Sequence, residues 1–332
     1  MRLPWITLFP ALLALATTNP VPTLVIVEKA SGKVGFFNAD GLVKEVPVGV
    51  HPHEMAFSSN GRFLFVTDNG VMVMTEKSPG QNSVAIVDVL GESKSGAIDL
   101  GAHRRPHGID FDPSTGHVLV TTELPSALVI LDPVSRTVIG TYDVHGQAPH
   151  MVRLAPDHST AFVTCTDTSN LSIVDLKTRQ TVTLQTGPRP QGIVFSPDFK
   201  RAYIANSDGH TITVVDTAAK SLIGDIPVGG PHSGPVRVAI SPDGKTAISA
   251  LQLDHAVSFA NTATMKEEGT IALPGSPVSM TLSADGSRAY CSVQDRDTVF
   301  VISLAGRTIV QTLKTPPHSG PDPVLPIRPS FL

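Results

Sequence analysis

The chain has 332 residues, of which 41% are hydrophobic and 16% charged, and its formal net charge is −4. A chain this rich in apolar residues can bury a core, which excludes a wholly disordered protein. The weak negative charge gives no reason to expect binding to nucleic acid or to an anionic membrane surface. Two cysteines are too few for a disulfide scaffold, and 27 glycines with 28 prolines indicate a chain that turns often.

The first predicted element is a secretory signal peptide at residues 1–16. One positive charge at Arg2 precedes an uncharged stretch, residues 3–16, which ends in the small-x-small sequence Ala14-Leu15-Ala16. A membrane span needs about 20 apolar residues, so this stretch is too short to be one. We therefore expect a single domain over residues 17–332, located in the periplasm or outside the cell, with no membrane insertion after cleavage.

A repeat runs through the rest of the chain. Each unit places a proline before an alternating apolar strand, then a Ser-Pro-Asp-Gly type of turn, a second strand, and a third strand ending in Asp. The aligned prolines are Pro52, Pro106, Pro149, Pro190, Pro235, Pro277 and Pro323. Most of these units are just over forty residues long, and repeats of that length made of short strands are typical of propeller blades.

The number of blades follows from the two ends of the repeat. Residues 23–49 contain only three strands, at 24–27, 34–37 and 42–48, while residues 323–327 supply one isolated strand. Pairing that last strand with the first blade removes an open seam of unpaired backbone. The sequence therefore predicts an all-β, seven-bladed β-propeller of four-stranded antiparallel blades.

These motifs resemble the YVTN-repeat propellers and the related seven-bladed lactonase-like superfamily. The segments Pro235-Val236-Arg237-Val238-Ala239-Ile240-Ser241-Pro242-Asp243-Gly244 and Ile212-Thr213-Val214-Val215-Asp216 carry the resemblance best. It implies a propeller fold with a ligand site at the channel mouth. It leaves the activity open, because such propellers serve as enzymes, redox-partner subunits, surface proteins and binding proteins.

The aligned prolines are expected to lie around one mouth of the central channel. The residues just after them are His53, His107, His150, Gln191, Val236, Val278 and Val324. Those just before them are His51, Arg105, Ala148, Arg189, Gly234, Ser276 and Asp322. Imidazoles on three successive blades, facing valines on the others, predict a polar site on one side of the mouth, to which Arg237 adds positive charge.

Three interpretations of this site remain open. His53, His107 and His150 match an open set of three imidazoles for zinc or another transition metal, the only cofactor the sequence suggests. Alternatively, the site binds a small anion, with His51, Arg105, Gln191 and Asp322 as ligand-binding residues. The lactonase-like resemblance then implies ring-opening or ring-closing catalysis by His150, Arg189 and Arg237. In the third interpretation these are solvated rim residues of a non-enzymatic platform for a protein or redox partner. We expect a monomer in each case.

The sequence also contains one insertion in the repeat, an aspartate that recurs at the ends of third strands, and two cysteines. Residues 69–81 lengthen one unit between its second and third strands. An insertion on one rim predicts a flap over His53 and His107, and the alternative is a hairpin that covers a sheet edge or contacts another chain. The Asp residues that end the third strands are expected to cap turns. Cys165 and Cys291 lie in second strands and are expected to be buried, unreactive thiols.

Overall fold

The computed structural model describes residues 21–328, which form seven four-stranded antiparallel sheets and one short 3₁₀ turn at Gln294–Arg296. Blade one joins the two ends of the chain and consists of β28 (Pro321–Pro326), β1 (Leu24–Glu28), β2 (Lys33–Asn38) and β3 (Gly41–Pro47). The predicted seven-bladed, all-β propeller closed by the C-terminal strand is confirmed. The predicted signal peptide, residues 1–16, lies outside the described residues.

The other six blades each follow one another along the chain, with the first strand innermost. Blade two contains β4 (Pro52–Phe57), β5 (Phe63–Asp68), β6 (Ser83–Asp88) and β7 (Ser93–Asp99); blade three β8 (Arg104–Phe111), β9 (Val118–Leu124), β10 (Ser126–Asp132) and β11 (Thr137–Tyr142); blade four β12 (Pro149–Leu154), β13 (Thr160–Cys165), β14 (Asn170–Asp175) and β15 (Thr181–Gln185). Blade five contains β16 (Pro190–Phe195), β17 (Arg201–Asn206), β18 (Thr211–Asp216) and β19 (Ser221–Pro227); blade six β20 (Pro235–Ile240), β21 (Thr246–Leu251), β22 (Ala256–Asn261) and β23 (Lys266–Ala272); blade seven β24 (Pro277–Leu282), β25 (Arg288–Val293), β26 (Thr298–Ser303) and β27 (Thr308–Lys314).

The ring is held together by apolar side chains that pack between neighbouring blades. One such cluster joins Val25 and Phe36 of blade one to Met55, Leu64 and Ala85 of blade two. The innermost strands of successive blades also contact one another around the whole ring, including β24 with β28 and β28 with β4. The core therefore lies between the blades, and the residues at the start of each innermost strand line the central channel.

The repeated turns form as their residues predict. In the turn of blade six, the Ser241 hydroxyl donates to Asp243 Oδ1 over 2.6 Å, and the backbone N–H of Gly244 donates to the Ser241 carbonyl over 2.8 Å. At a third-strand end, Asp175 Oδ1 accepts from the backbone N–H groups of Lys177 and Thr178. The capping role predicted for these aspartates is confirmed.

The alignment of the closing strand needs a correction. In blade four, Pro149 pairs with Cys165 and a β-bulge follows before Val152 resumes the register. In blade one it is Pro321, not Pro323, that occupies the equivalent position, since it pairs with Glu28 and the register then shifts. The sequence alignment was therefore wrong by two residues, and β28 begins at Pro321 rather than at 323. The residue after the aligned proline of blade one is Asp322, where the sequence analysis placed Val324.

Candidate functional site

Seven side chains form a ring around one mouth of the channel, each from the residue after the aligned proline of a blade. All seven line a single cavity of about 200 Å³: Asp322, His53, His107, His150, Gln191, Val236 and Val278. With Asp322 in its corrected position, the polar arc covers five consecutive blades, one to five. Blades six and seven supply the two valines. We call this set the mouth ring.

Side-chain hydroxyls on the second strands hold the mouth ring in place. Thr121 Oγ1 accepts from the backbone N–H of Gly108 in its own blade and donates to the carbonyl of His150 in the next blade, both over 2.8 Å. Thr67 makes the same bridge to the His107 carbonyl, and Thr164 makes it to the Gln191 carbonyl. Each hydroxyl therefore satisfies the backbone next to a β-bulge and fixes the adjacent ring residue.

Glycine at position 108 allows blades three and four to approach closely. A Cβ atom there would lie 2.3 Å from the His150 carbonyl oxygen and 2.7 Å from the Met151 Cα. Both of these atoms belong to the backbone of the neighbouring blade, so neither can move without displacing β12. The small residue thus helps to bring the His107 and His150 rings within 3.9 Å of each other, measured between centroids.

Hydrogen bonds fix the protonation pattern of two of the imidazoles. His53 Nε2 lies 2.9 Å from the Val71 carbonyl oxygen, and His53 Nδ1 lies 2.9 Å from His107 Nε2. A carbonyl can only accept, so neutral His53 carries its proton on Nε2 and accepts at Nδ1. His107 must then donate from Nε2. The Nδ1 atom of neutral His107 is left with a lone pair.

Two buried nitrogen atoms of the mouth ring have no partner. His107 Nδ1 and His150 Nδ1 are both enclosed, and neither makes a hydrogen bond within the described part of the chain. The two residues are only 3% and 5% exposed. Buried polar atoms in folded proteins are nearly always paired, so leaving these two unpaired lowers the stability of the mouth ring.

The three imidazoles are neutral at physiological pH. Burial is the main cause, and it lowers the pKa of His53 and His107 well below the ordinary value and that of His150 to about 3. The positive charge of Lys29 acts in the same direction on all three rings. A neutral imidazole can accept a hydrogen bond, bind a metal or take up a proton.

The buried lysine was not identified from the sequence. Lys29 is 8% exposed, lines the same cavity, and its Nζ lies 3.4 Å from Asp322 Oδ2. Burial lowers the pKa of Lys29, and the carboxylate of Asp322 opposes that shift. Lys29 directly follows the second strand of blade one. The residues at the same point of blades six and seven, Gln252 and Gln294, also line the cavity, so this position forms a second column that the repeat alignment could have revealed.

An ion pair crosses the channel just below the mouth ring. The guanidinium group of Arg237, from blade six, donates to a carboxylate oxygen of Glu54, from blade two, and both side chains are about nine-tenths buried. Arg237 lines both the mouth cavity and an apolar cavity of about 270 Å³ beneath it, which also contains Met151 and Ile193. The catalytic role expected for Arg237 stays a prediction; the structure shows that its guanidinium group pairs with Glu54 across the channel while lining the mouth cavity. The structure also identifies Glu54 as the carboxylate that pairs with Arg237, a partner that the sequence did not reveal.

The predicted flap lies over the mouth. Val71 accepts the hydrogen bond from His53, and Met72, Val73 and Met74 line the cavity. Glu76 Oε1 accepts from the backbone N–H groups of Met72 and Val73, over 2.7 and 3.0 Å, which ties the flap into a compact turn. The interpretation of residues 69–81 as a flap is confirmed.

Two predicted ligand-binding residues support the mouth without lining its cavity. Arg105 Nε lies 2.9 Å from Glu123 Oε2, and its terminal nitrogens donate to the carbonyls of Met74 and Glu76, so its guanidinium holds the flap. The His51 Nδ1 atom lies 3.2 Å from the Lys29 carbonyl oxygen. Both residues precede an aligned proline, at a corner where the chain has positive φ (His51 48°, Arg105 55°). Gln191 and Asp322 do line the cavity, as ligand-binding residues would.

Arg189 differs from the other cations of the cavity. Lys29 pairs with Asp322 and Arg237 pairs with Glu54. Within residues 21–328, no carboxylate lies within ion-pair distance of Arg189, which lines the cavity beside His150 and Gln191. Its positive charge also acts on the His150 ring. The cavity therefore has one uncompensated positive charge.

Comparison with known proteins identifies the family. The sequence matches the choice-of-anchor I domain family over residues 5–182, which is more than half of the chain. The chain belongs to this family. No match was found among curated proteins.

Solved structures share the fold of this choice-of-anchor I chain. Hydrazine synthase of Kuenenia stuttgartiensis has a TM-score of 0.73 at 19% identity, covering 90% of this chain and 99% of that one. A functionally unknown protein from Desulfotomaculum acetoxidans has a TM-score of 0.73 at 15% identity, covering 93% and 99%. The dihydro-heme d1 dehydrogenase NirN, in complex with DHE, has a TM-score of 0.63 at 17% identity, covering 94% and 76%. At these identities the likeness shows the fold alone.

The described part of this choice-of-anchor I protein shows neither a ready metal cluster nor a membrane-spanning helix. No group of three or more His, Cys, Asp or Glu side chains in residues 21–328 is arranged to hold a metal ion. In the same residues, no helix has the length and apolar character needed to cross a membrane. Because both ring nitrogens of His53 are hydrogen-bonded, to the Val71 carbonyl and to His107, binding of a metal ion by His53 would require its ring to move. The metal site at His53, His107 and His150 stays a prediction.

The two cysteines of this chain are free thiols in the interior. Burial raises the pKa of Cys165 to about 11 and that of Cys291 to about 12. Both thiols therefore stay protonated at neutral pH, and the expectation that they are buried and unreactive agrees with the structure.

Proposed function

We propose that this choice-of-anchor I propeller binds a small anion at the mouth ring, with Arg189 as the residue that holds the negative charge. The observation that carries the proposal is that Arg189 lines the cavity beside the neutral side chains of His150 and Gln191 and has no carboxylate partner within the described residues. The charges of Lys29 and Arg237 are balanced by neighbouring carboxylates, so they contribute little net charge. A guanidinium group in such a setting favours a carboxylate or phosphate.

The dimensions of the cavity limit the ligand. A short-chain carboxylate fits a cavity of about 200 Å³. Val236 and Val278 offer an apolar wall opposite the imidazoles, which suits a ligand with a small hydrocarbon part.

Titration calorimetry with acetate, propionate, inorganic phosphate and sulfate tests the proposal. We expect one of these anions to bind, and its dissociation constant to rise about tenfold or more in Arg189→Gln. Arg288→Gln is the matched control, because Arg288 is an exposed arginine that does not line the mouth cavity. Equal affinities for the parent and Arg189→Gln, or no anion binding at all, would overturn the proposal.

A catalytic version of this function is favoured by the neutral imidazole of His150, which lines the cavity together with Arg189. In lactone opening, a neutral imidazole takes a proton from water as the water oxygen bonds to the carbonyl carbon. The ring C–O bond then breaks, and the imidazolium returns the proton to the departing oxygen, which becomes a hydroxyl group. The new carboxylic acid then loses its remaining proton to water, and Arg189 would hold the resulting carboxylate. Hydrolysis of γ-butyrolactone that is lost in His150→Gln would support this version, whereas hydrolysis unaffected by that change would exclude His150 as the base.

Zinc and the non-enzymatic platform remain the alternatives to this proposal. Metal analysis of the purified protein tests the zinc alternative. Stoichiometric zinc, copper or iron that is lost in a His53→Ala/His107→Ala variant would favour a metal site. A protein partner retained through purification, without anion binding, would favour the platform. We further propose a periplasmic or extracellular monomer, for which the uncharged segment at residues 3–16 is the support. Cell fractionation and light scattering test location and oligomeric state.

A further inference from the structure

A second ring of side chains lines the channel on the side away from the mouth. Each member lies three residues after the mouth-ring residue on the same innermost strand, and we call the set the lower ring: Ala56, Asp110, Arg153, Val194, Ala239, Thr281 and Leu325. Every member lines one of two cavities, of about 270 Å³ and about 850 Å³. Arg153, Thr281 and Leu325 line both, so the two cavities adjoin, and together we call them the lower channel.

The lower channel opens on the face opposite the mouth. The ion pair of Arg237 and Glu54 lies between it and the mouth cavity, and Arg237 is the one residue that lines the spaces on both sides. At the other end, the larger cavity reaches the turns between first and second strands, where Ser59, Pro113 and Ala284 are exposed. A ligand of the lower channel therefore enters from this opposite face.

The wall of the lower channel is mostly apolar. Hydrophobic members of the lower ring are joined there by other aliphatic and thioether side chains, among them Met151, Ile193, Val238 and Met280. The carboxylate of Asp110, a polar member of the ring, accepts from the backbone N–H groups of Leu154 and Phe111, over 2.8 and 3.0 Å. Its hydrogen-bonding capacity is thus partly used by the protein backbone, and the remaining wall suits a hydrocarbon chain.

Arg153 places a positive charge where the two cavities adjoin. Its Nη1 atom donates to the backbone carbonyls of Val152 and Ile109, over 3.0 and 3.5 Å, and no carboxylate of residues 21–328 lies within ion-pair distance of it. The larger cavity is lined by two arginines, Arg153 and the exposed Arg328, and by one acid, Asp110. The balance of charge at the open end is therefore positive.

We propose that the lower channel is a second ligand site, which binds a medium-chain fatty acid with its alkyl chain against the apolar wall and its carboxylate beside Arg153. An apolar wall with a guanidinium group near the opening matches a ligand that has a hydrocarbon tail and one anionic end. The larger cavity has about 850 Å³, against about 200 Å³ for the mouth cavity, so it accepts a longer ligand than the mouth does. This site is distinct from the proposed anion site, and neither proposal depends on the other.

A series of acids that differ only in chain length tests the proposal on the parent protein. Calorimetry compares butyrate, hexanoate and octanoate, and octylammonium tests the sign of the charge. We expect each added methylene group to tighten binding about fourfold, because it is removed from water. Octylammonium should bind about tenfold more weakly than octanoate, since Arg153 repels it.

Variants of the lower ring locate the bound acid. Arg153→Gln should weaken octanoate binding about tenfold, and Arg288→Gln is the matched control, because Arg288 is an exposed arginine that lines neither cavity. Val194→Phe should abolish octanoate binding, since Val194 is only half-buried and a larger side chain there fills the channel. Circular dichroism checks that each variant is folded, and the chain-length series on the parent protein decides the question if either is not.

The mouth variant Arg189→Gln separates the two proposals. It should weaken the binding of small anions and leave octanoate binding unchanged. Octanoate binding that is lost in Arg189→Gln but unaffected in Arg153→Gln would place the acid in the mouth and overturn this inference while supporting the anion site. Octanoate that binds no more tightly than butyrate, or no more tightly than octylammonium, would also overturn it. If octanoate binds as expected and no small anion binds, the proposed function fails and this inference stands.

Discussion

Replacing His150 with glutamine should change how the stability of the protein depends on pH. The buried ring has its pKa lowered from 6.5 to about 3, chiefly by burial and next by the charge of Lys29. Since the folded protein binds this proton less readily than the unfolded chain, acid favours unfolding, and the effect grows as the pH falls from about 6.5 towards 3. One pKa unit corresponds to about 1.4 kcal/mol, so His150 should cost the parent about 2.5 kcal/mol of unfolding free energy between pH 7.5 and 4.5.

Urea denaturation of the parent and of His150→Gln at several pH values measures this quantity. Other groups also titrate in this range: burial raises the pKa of Glu28 to about 8 and that of Glu123 to about 7, which acts in the opposite direction. The informative value is therefore the difference between the two proteins, in which these contributions cancel. Val236→Ala is the control, because it alters the same ring without changing a titratable group, and its difference from the parent should not vary with pH. A difference for His150→Gln that is constant from pH 7.5 to 4.5 would show that the imidazole is hydrated and refute the argument from burial.

Three further changes test the Arg237–Glu54 ion pair, the flap and the hydroxyl bridges. Glu54→Gln should lower the free energy of unfolding in urea by about 3–5 kcal/mol, because it leaves the buried charge of Arg237 unpaired. The double variant Glu54→Leu/Arg237→Met should recover most of this loss. If it recovers none, the ion pair is not the cause of the loss. Arg105→Lys should speed tryptic cleavage after Lys77, in the flap, about tenfold. The reason is that the flap loses a hydrogen bond from a charged donor, which contributes about 1.5–3 kcal/mol. An unchanged cleavage rate would mean that other contacts hold the flap. Thr121→Val should lower the free energy of unfolding by about 2–4 kcal/mol, since it leaves two buried backbone groups unpaired. Thr121→Ser keeps the hydroxyl and should lower it much less. Similar losses for both variants would assign the effect to packing.

The sequence predicted the blades well because each blade is encoded locally. A proline, a Ser-Pro-Asp-Gly turn and a final Asp recur at fixed places, and each makes contacts within its own few residues, as Ser241 and Asp243 do. The closing strand was harder to place. Pro321 and Pro323 both fit the local pattern, and only the pairing of Pro321 with Glu28, almost 300 residues away, decides between them.

The site was predicted in part for the same reason. His53, His107, His150 and Gln191 recur at one position of the repeat, so the closed ring necessarily brings them to one mouth. The partners of these residues come from other columns and other blades. Glu54 reaches Arg237 across the channel at a sequence separation of 183 residues, for which no local pattern exists.

The mouth ring itself shows why its polar arc is best explained by function. Val236 and Val278 occupy the same position in blades six and seven, so the scaffold tolerates an aliphatic side chain there. Burying neutral imidazoles lowers stability at acidic pH, and the two unpartnered nitrogen atoms lower it at every pH. Local departures from the pattern that the fold favours tend to occur at functional sites. The arrangement of five polar residues on consecutive blades, with Arg189 beside them, is such a departure, and a bound anion would compensate for part of its cost.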